Sequence, residues 1–139
     1  MRLQVLLSAM NQNNHNILRE ANIASDAIII NQCDYFQYEN FKHLNKNILF
    51  ISLPEKGVGL SRNNALMRST ADIILFADED IKYLNNYEKI IQTEFKKYPK
   101  SDMIIFNVPS KNPKRPNFHI KKRKRIARLL SDRASNGWT

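Results

Sequence analysis

The chain has 139 residues, of which 42% are hydrophobic and 25% charged, a composition typical of one soluble globular domain with a sizeable core. No apolar run approaches the ~20 residues that a transmembrane helix needs, and the first residues lack a signal-peptide pattern. The single cysteine, Cys33, excludes an internal disulfide and fits a reducing compartment. Together these features argue against a membrane-spanning or disulfide-rich secreted protein, and we expect a cytoplasmic one.

The net charge of +9 is distributed unevenly along the chain. Residues 1–110 hold equal numbers of basic and acidic side chains, whereas residues 111–139 hold ten Lys and Arg against the single acid Asp132. Three of the five prolines fall within residues 109–117. We therefore predict a neutral domain over residues 1–110, followed by a basic, proline-containing loop and tail over residues 111–139, part of which can form a helix.

Short apolar segments alternate with segments of helical periodicity between residues 3 and 108. Strands are predicted over residues 3–9, 27–30, 47–53, 72–77 and 102–108. Helices are predicted over residues 14–25, 35–46, 62–70 (capped by Ser61 or a neighbour) and 85–98. Strands separated by helices predict an α/β fold with a mostly parallel sheet and helices on both faces. The continuous apolar strands agree, because a parallel sheet is buried on both sides.

Three carboxylates, Asp78, Glu79 and Asp80, follow the apolar strand of the segment "DIILFADEDI". In open α/β sheets, ligands bind beyond the carboxyl ends of the strands. Two carboxylates there can hold Mn²⁺ or Mg²⁺, which prefer oxygen ligands and often bind through carboxylates together with substrate phosphates. The alternative is a solvated acidic turn.

The longer segment "GVGLSRNNALMRSTADIILFADEDI", residues 57–81, resembles the central signature of family 2 glycosyltransferases with the GT-A fold. That signature commonly reads G-L-S-x-A-R-N-x-G, then a helix, then G-D-Y-I-x-F-L-D-x-D-D. Arg62-Asn63 and the acids 78–80 fall on it without a gap, and the acids take the place of the D-x-D motif. The chain departs from the pattern at Ala65, where the family often has Gly.

A looser resemblance extends to the N-terminus. "VLLSAMN" (residues 5–11) lies where the family has V-I-I-P-T-Y-N, and "IIINQCD" (residues 28–34) lies where many members have I-V-V-D-D-G-S. Asn31 and Gln32 replace acids that contact the nucleotide base in the family; an amide can still donate and accept hydrogen bonds. The resemblance implies a GT-A-like, Rossmann-like sheet over about residues 3–108, incomplete at its C-terminal half.

The resemblance also implies roles for individual residues. Asp80 would ligate the metal that bridges the diphosphate of a sugar nucleotide, and Asp78 would contact the ribose or support that metal. Arg62 would lie near the nucleotide, or alternatively form a salt bridge to a neighbouring acid. Glu79 is expected to be a spacer facing solvent. The base and ribose pocket would be lined by Ala9, Asn11, Asn31 and Gln32.

The implied activity is transfer of a sugar from a metal-bound nucleotide-diphosphate sugar to an unknown glycan or lipid-linked acceptor. Family members carry a longer second half, which supplies the acceptor site and, in inverting enzymes, a carboxylate base. Beyond Phe106 the only acid is Asp132, so no catalytic base is nominated. We expect a truncated or inactive form of such an enzyme, or one that binds the donor without efficient transfer.

The basic tail, residues 111–139, has several interpretations. It can contact the anionic inner face of a membrane as a peripheral anchor, or it can be a solvated segment. Nucleic acid is disfavoured as a partner, because no recognised nucleic-acid motif accompanies the charge. The alternative to an enzyme is a non-catalytic binding module that uses this tail. A phosphoacceptor domain is disfavoured because its acids would be spread over several strand ends.

Overall fold

The computed structural model describes residues 1–109 and 112–114. The tail predicted over residues 111–139 therefore lies almost wholly outside the described residues, and its predicted helix and membrane contact remain predictions. Within the described residues, the elements in chain order are β1 (Leu3–Met10), α1 (Asn16–Glu20), β2 (Asp26–Gln32), β3 (Gln37–His43), β4 (Lys46–Leu53), α2 (Val58–Leu66), β5 (Ile73–Asp78) and α3 (Tyr87–Lys97).

The strands form one mixed sheet in the order β3-β4-β2-β1-β5. Four of them, β4, β2, β1 and β5, run parallel, while β3 is antiparallel to β4 at one edge. Parallel strands need long crossover connections. Helix α1 lies in the connection from β1 to its neighbour β2, and α2 lies in the connection from β4 to β5, which pairs with β1 on the other side of the sheet. The predicted α/β class with a mostly parallel sheet is confirmed.

The core lies on both faces of this sheet, because successive side chains of a strand point to opposite sides. On one face α2 contributes Ala65 to an apolar cluster with Leu6, Ile28, Ile30, Ile51 and Leu53. On the other face, the ring of His15, just before α1, stacks on Phe41 and lies tilted against Phe50. Burial of each large aliphatic side chain contributes about 1.5–3 kcal/mol, so the central strands carry most of the stability.

The helix predicted over residues 35–46 is wrong, because this segment forms strand β3. Leu44 and Asn45 have φ values of 50° and 61°, and a two-residue turn with both residues at positive φ is the type I′ turn that joins antiparallel strands. The side chains of β3 alternate between exposed and half-buried, which is the period of a strand with one covered face. The aromatic residues of this segment also favour a strand, because aromatic side chains pack well on a pleated, half-buried surface.

Two predicted helices have different bounds in the structure. Helix α1 ends at Glu20 instead of residue 25, because Asn22 adopts a left-handed φ of 57° that stops the helix. Helix α2 starts at Val58, and its N-cap is Gly57 with a φ of 132°, a backbone conformation that residues with a Cβ rarely adopt. Ser61 is therefore not the cap; it is buried inside α2 and donates to Ser8 Oγ at 2.9 Å.

The strand predicted over residues 102–108 is also wrong, because this segment has no regular secondary structure. Its apolar residues Met103, Ile105 and Val108 are exposed. An apolar run indicates a tendency to be buried, but a strand forms only when a neighbour accepts its backbone hydrogen bonds.

The chain divides into two compact units, residues 1–93 and residues 94–139. The first unit contains the sheet, α1, α2 and the first turns of α3. In the second unit, a shallow hollow of about 360 Å³ is lined by residues 97–101 and contains none of the predicted site residues. No helix among the described residues is long and apolar enough to cross a membrane.

Candidate functional site

The strand order reverses at β1, whose neighbours are β2 on one side and β5 on the other. Ligands of open α/β sheets bind at the carboxyl ends of the strands where such a reversal occurs. Ser8 of β1 is paired with Asp78, the last residue of β5. The loop that follows β1 after Met10 and the turn that follows β5 after Asp78 therefore start side by side at this edge.

Asp78 forms an ion pair with Arg62. Arg62 Nη2 donates to both carboxylate oxygens of Asp78, at 2.9 and 3.2 Å. The pair forms because α2 follows β4 and so begins at the edge where β5 ends, and Arg62 lies about one turn into α2. The side chains of Arg62 and Asp78 are 37% and 48% exposed, so the pair contributes about 0–1 kcal/mol to folding. The salt bridge considered for Arg62 is present.

The guanidinium of Arg62 has further donors besides Nη2, and one of them is Nε. Its Nε is buried and has no hydrogen-bond partner among the described residues, although buried donors are normally paired. Arg62 thus holds one carboxylate at this edge and carries a donor that residues 1–109 and 112–114 leave unpaired.

Glu79 is exposed, as expected, but it is more than a spacer. Its Oε2 accepts a hydrogen bond from the backbone N–H of Met10 at 3.0 Å and lies 3.5 Å from Gln12 Nε2. Glu79 thereby connects the turn after β5 to the loop after β1. Neither Glu79 nor Gln12 is among the predicted site residues. The D-x-D pattern carries no information about its middle residue, Glu79, and Gln12 lies one residue beyond the motif of residues 5–11.

Asp80 is exposed and, within the described part of the chain, forms no hydrogen bond or ion pair. The turn that carries it is closed by a hydrogen bond from the Ile81 N–H to the Asp78 carbonyl at 3.2 Å. No group of three or more His, Cys, Asp or Glu residues that could hold a metal occurs among residues 1–109 and 112–114. A cation bound by Asp80 and Asp78 would therefore complete its coordination with ligand oxygens and water, as Mg²⁺ commonly does.

Asn31, predicted to contact the base, is fully buried. Its Oδ1 accepts from the Gln12 N–H at 2.8 Å, and its Nδ2 donates to the Gln12 carbonyl at 2.9 Å and to Ser52 Oγ at 3.0 Å. Both donor hydrogens of the amide are thus used. Asn31 holds the loop after β1 in place, and a base could reach this amide only by displacing that loop.

Gln32 and Ala9 are also buried. Gln32 Oε1 accepts a hydrogen bond from the Gly57 N–H at 2.7 Å, which ties the end of β2 to the start of α2. Asn11 is the exposed member of the predicted base and ribose pocket. Its φ of 49° is a left-handed conformation that asparagine tolerates better than most residues, and its N–H donates to the Gln32 carbonyl at 2.9 Å.

Two tyrosines that follow the acidic turn were not among the predicted site residues. The rings of Tyr83 and Tyr87 lie 4.6 Å apart, and the Tyr87 hydroxyl is 2.6 Å from Ser25 Oγ. Burial raises the pKa of both phenols, and the charge of Asp78 adds to the rise in the pKa of Tyr83. The Tyr87 hydroxyl fastens the segment after β5 to the domain through Ser25, and the backbone N–H of Tyr83 does so by donating to the Ala21 carbonyl at 3.0 Å.

The fold and this edge together define a mostly parallel α/β domain with an acidic, solvent-exposed turn at the carboxyl edge of its sheet. A scan against protein-family models, a search of curated proteins and a search of solved structures each find no match to the chain.

Proposed function

We propose that this domain binds a nucleotide-diphosphate sugar together with Mn²⁺ or Mg²⁺ and acts as a glycosyltransferase of the family 2 type. The observation that carries the proposal is the position of Asp80. It is an exposed carboxylate without a partner in the described residues, located at the carboxyl edge where the strand order reverses. The signature resemblance over residues 57–81 supports the same assignment.

The chemistry of the donor set fits a hard divalent cation. Asp78 and Asp80 supply carboxylate oxygens one residue apart, which suits Mn²⁺ or Mg²⁺ and disfavours softer metals. When bound, the cation would neutralise charge on the diphosphate and stabilise it as a leaving group. Asp80 is the primary ligand in this proposal, because Asp78 is already held by Arg62.

The residues of the chain then have distinct tasks around the diphosphate. Arg62 brings a fixed positive charge to the edge, which favours a phosphate there because charge-assisted hydrogen bonds are strong. Asn11 presents an exposed amide beside the acidic turn for a ribose or base contact. Asn31 and Gln32 act beneath the surface, where they fix the loop after β1 and the start of α2.

The transfer step belongs to the same proposal, with an unknown glycan or lipid-linked molecule as the acceptor. A carboxylate that deprotonates the acceptor hydroxyl is needed in inverting members of the family, and none of the described residues is assigned this role. Binding of the donor is therefore the part of the function that is tested first.

The direct test is a calorimetric titration of the full chain with UDP, GDP and ADP, each with and without Mn²⁺. We expect at least one nucleotide to bind in a metal-dependent manner, and Asp80→Ala to weaken that binding at least about a hundredfold, equivalent to about 2.7 kcal/mol. The matched control is Asp102→Ala, which removes an exposed acid of the second unit. Absence of metal-dependent binding for every nucleotide would refute the proposal.

The second candidate function is a non-catalytic binding module that uses the basic segment, residues 111–139. The observation in its favour is the distribution of charge, since all of the net +9 falls in this segment. Such a module would bind anionic vesicles or mixed nucleic acid with a steep salt dependence and would lose that binding when residues 111–139 are deleted. Metal-dependent nucleotide binding should survive the same deletion, so one truncation separates the two functions.

A further inference from the structure

The backbone N–H of Met10 is a hydrogen-bond donor that the sheet does not use. Strand β5 ends its pairing with β1 at Asp78, which lies opposite Ser8. The N–H of Met10, two residues further along β1, therefore has no strand partner on that side. Its acceptor is Glu79 Oε2 at 3.0 Å, so an exposed carboxylate satisfies a donor that faces the ligand-binding edge.

A second donor lies beside the first. Gln12 Nε2 donates to the Met10 carbonyl at 3.1 Å and is 3.5 Å from the same Glu79 oxygen, which is the outer limit of a hydrogen bond. The backbone of Gln12 is clamped by the buried amide of Asn31 through both its N–H and its carbonyl. The two donors are thus held by the fold and do not depend on Glu79 for their positions.

A fixed pair of N–H donors is a receptor for an oxyanion, because hydrogen bonds to charged acceptors are stronger than those to neutral ones. The Arg62 guanidinium, which pairs with the preceding residue Asp78, adds positive charge to the same turn. A carboxylate oxygen and a phosphate oxygen present the same charge and the same lone pairs to such donors. Glu79 therefore has the chemistry of a stand-in for a phosphate group.

We propose that Glu79 is an autoinhibitory latch, which occupies the place of a phosphate oxygen of the ligand until the ligand displaces it. The inference rests on the proposed function for the class of ligand, a diphosphate, but the receptor consists of Met10 and Gln12 and not of the metal-binding acids. Displacement frees Glu79 to turn to solvent, where it is already exposed.

The ligand binds only molecules in which the latch is open, so the apparent affinity is the intrinsic affinity multiplied by the open fraction. A closed state favoured roughly fivefold, which is a modest preference for a single exposed contact, weakens ligand binding by about the same factor. Removal of the Glu79 carboxylate should therefore strengthen anion binding, the opposite of what removal of a metal ligand or of a structural contact does.

The experiment uses inorganic pyrophosphate without metal, titrated into the ¹⁵N-labelled full chain and followed by the NMR amide signal of Met10. We expect Glu79→Ala to bind about fivefold more tightly than the unchanged chain and to show a pyrophosphate-dependent shift of the Met10 signal. Asp80→Ala is the matched control, because it removes one negative charge from the neighbouring residue without opening the receptor. The affinity of Asp80→Ala for pyrophosphate should rise by less than twofold, which is the effect expected from the loss of one negative charge at moderate salt.

A further variant tests the second donor. Gln12→Ala keeps the backbone contacts to Asn31 and removes only the side-chain amide, so Glu79→Ala combined with Gln12→Ala should lose most of the gain in affinity. An equal affinity of Glu79→Ala and Asp80→Ala for pyrophosphate, or a Met10 signal that does not shift in Glu79→Ala, overturns the latch. The proposed function fails separately, since it requires metal-dependent nucleotide binding by the unchanged chain, which this metal-free titration does not measure.

Discussion

The two ends of the sheet use the same residue type in opposite ways. Strand β5 is preceded by Asp72 and ends in Asp78. At the amino end, Asp72 Oδ2 accepts from the Arg2 N–H at 2.7 Å, and Asp26 accepts from the Asn47 N–H at 2.9 Å and pairs with Arg2 Nε at 3.2 Å. At the carboxyl end, Asp78 is half-exposed and is paired with Arg62.

The difference has a simple physical origin. Parallel strands begin with unpaired N–H groups, which can donate hydrogen bonds to carboxylates, so acids at the amino end form structural hydrogen bonds. Strands end with unpaired carbonyls, which are acceptors and cannot donate a hydrogen bond to a carboxylate. Among the described residues, the three acids of this turn accept from the Met10 N–H, the Gln12 side chain and one guanidinium. Within that part of the chain the acidic turn therefore has few compensating partners, which is the basis of the proposed cation.

The largest effect on stability is expected at the amino end. The side chain of Asp26 is 12% exposed, and Asp26→Ala leaves the Asn47 N–H and Arg2 without their acceptor. Charge-assisted hydrogen bonds contribute about 1.5–3 kcal/mol each, so the free energy of unfolding should fall by about 3 kcal/mol in urea denaturation. Asp34→Ala, at an exposed acid, serves as the control and should change it by less than about 0.5 kcal/mol. Equal losses for both variants would contradict the structural role of Asp26.

A smaller loss of stability is expected for Asn31→Ala, although this residue lies at the carboxyl end. The substitution leaves the N–H and carbonyl of Gln12 and the hydroxyl of Ser52 without a partner, at a cost of about 2 kcal/mol. Because Asn31 acts as a support, amide hydrogen exchange of Gln12 should also accelerate. Asn13→Ala, in the same exposed loop, should do neither. Normal stability of Asn31→Ala together with weakened nucleotide binding would instead make Asn31 a direct ligand contact.

The smallest change in stability is expected for the Arg62–Asp78 pair. Asp78→Asn should alter the free energy of unfolding by less than about 1 kcal/mol, because exposed ion pairs contribute little. Metal-dependent nucleotide binding should nevertheless weaken by about tenfold, since a carboxylate near the cation is replaced by a neutral amide. A stability loss as large as that of Asp26→Ala would show that the two ends of the sheet do not differ in the way described.

Much of the fold could be predicted from the sequence, because the strands in the centre of the sheet are continuous apolar runs that only a buried parallel sheet explains. The failures fall at the margins. Strand β3 was predicted as a helix because its turn, Leu44-Asn45, lacks glycine and so gives no hairpin signal. The segment of residues 102–108 was predicted as a strand from composition alone, which carries no information about a pairing partner.

The candidate site was predictable in its location but less so in its contacts. The rule that ligands bind at the carboxyl ends of strands located Asp78 and Asp80 correctly at an exposed edge. This rule could not show that Asn31 is buried. The alternation of side chains along a strand determines on which face of the sheet a residue lies, but not whether a loop covers that residue. The contact of Glu79 with Met10 depends on where β5 stops pairing with β1, which only the three-dimensional register shows.

The central claim is that Asp80 holds a cation against the diphosphate of a bound nucleotide. The most direct measurement is the calorimetric affinity for UDP, GDP and ADP in the presence and absence of Mn²⁺, with Asp80→Ala and Asp102→Ala compared in parallel. The account predicts binding that requires Mn²⁺, disappears in Asp80→Ala and is retained in Asp102→Ala. Binding that is indifferent to Mn²⁺, or that survives unchanged in Asp80→Ala, would contradict it.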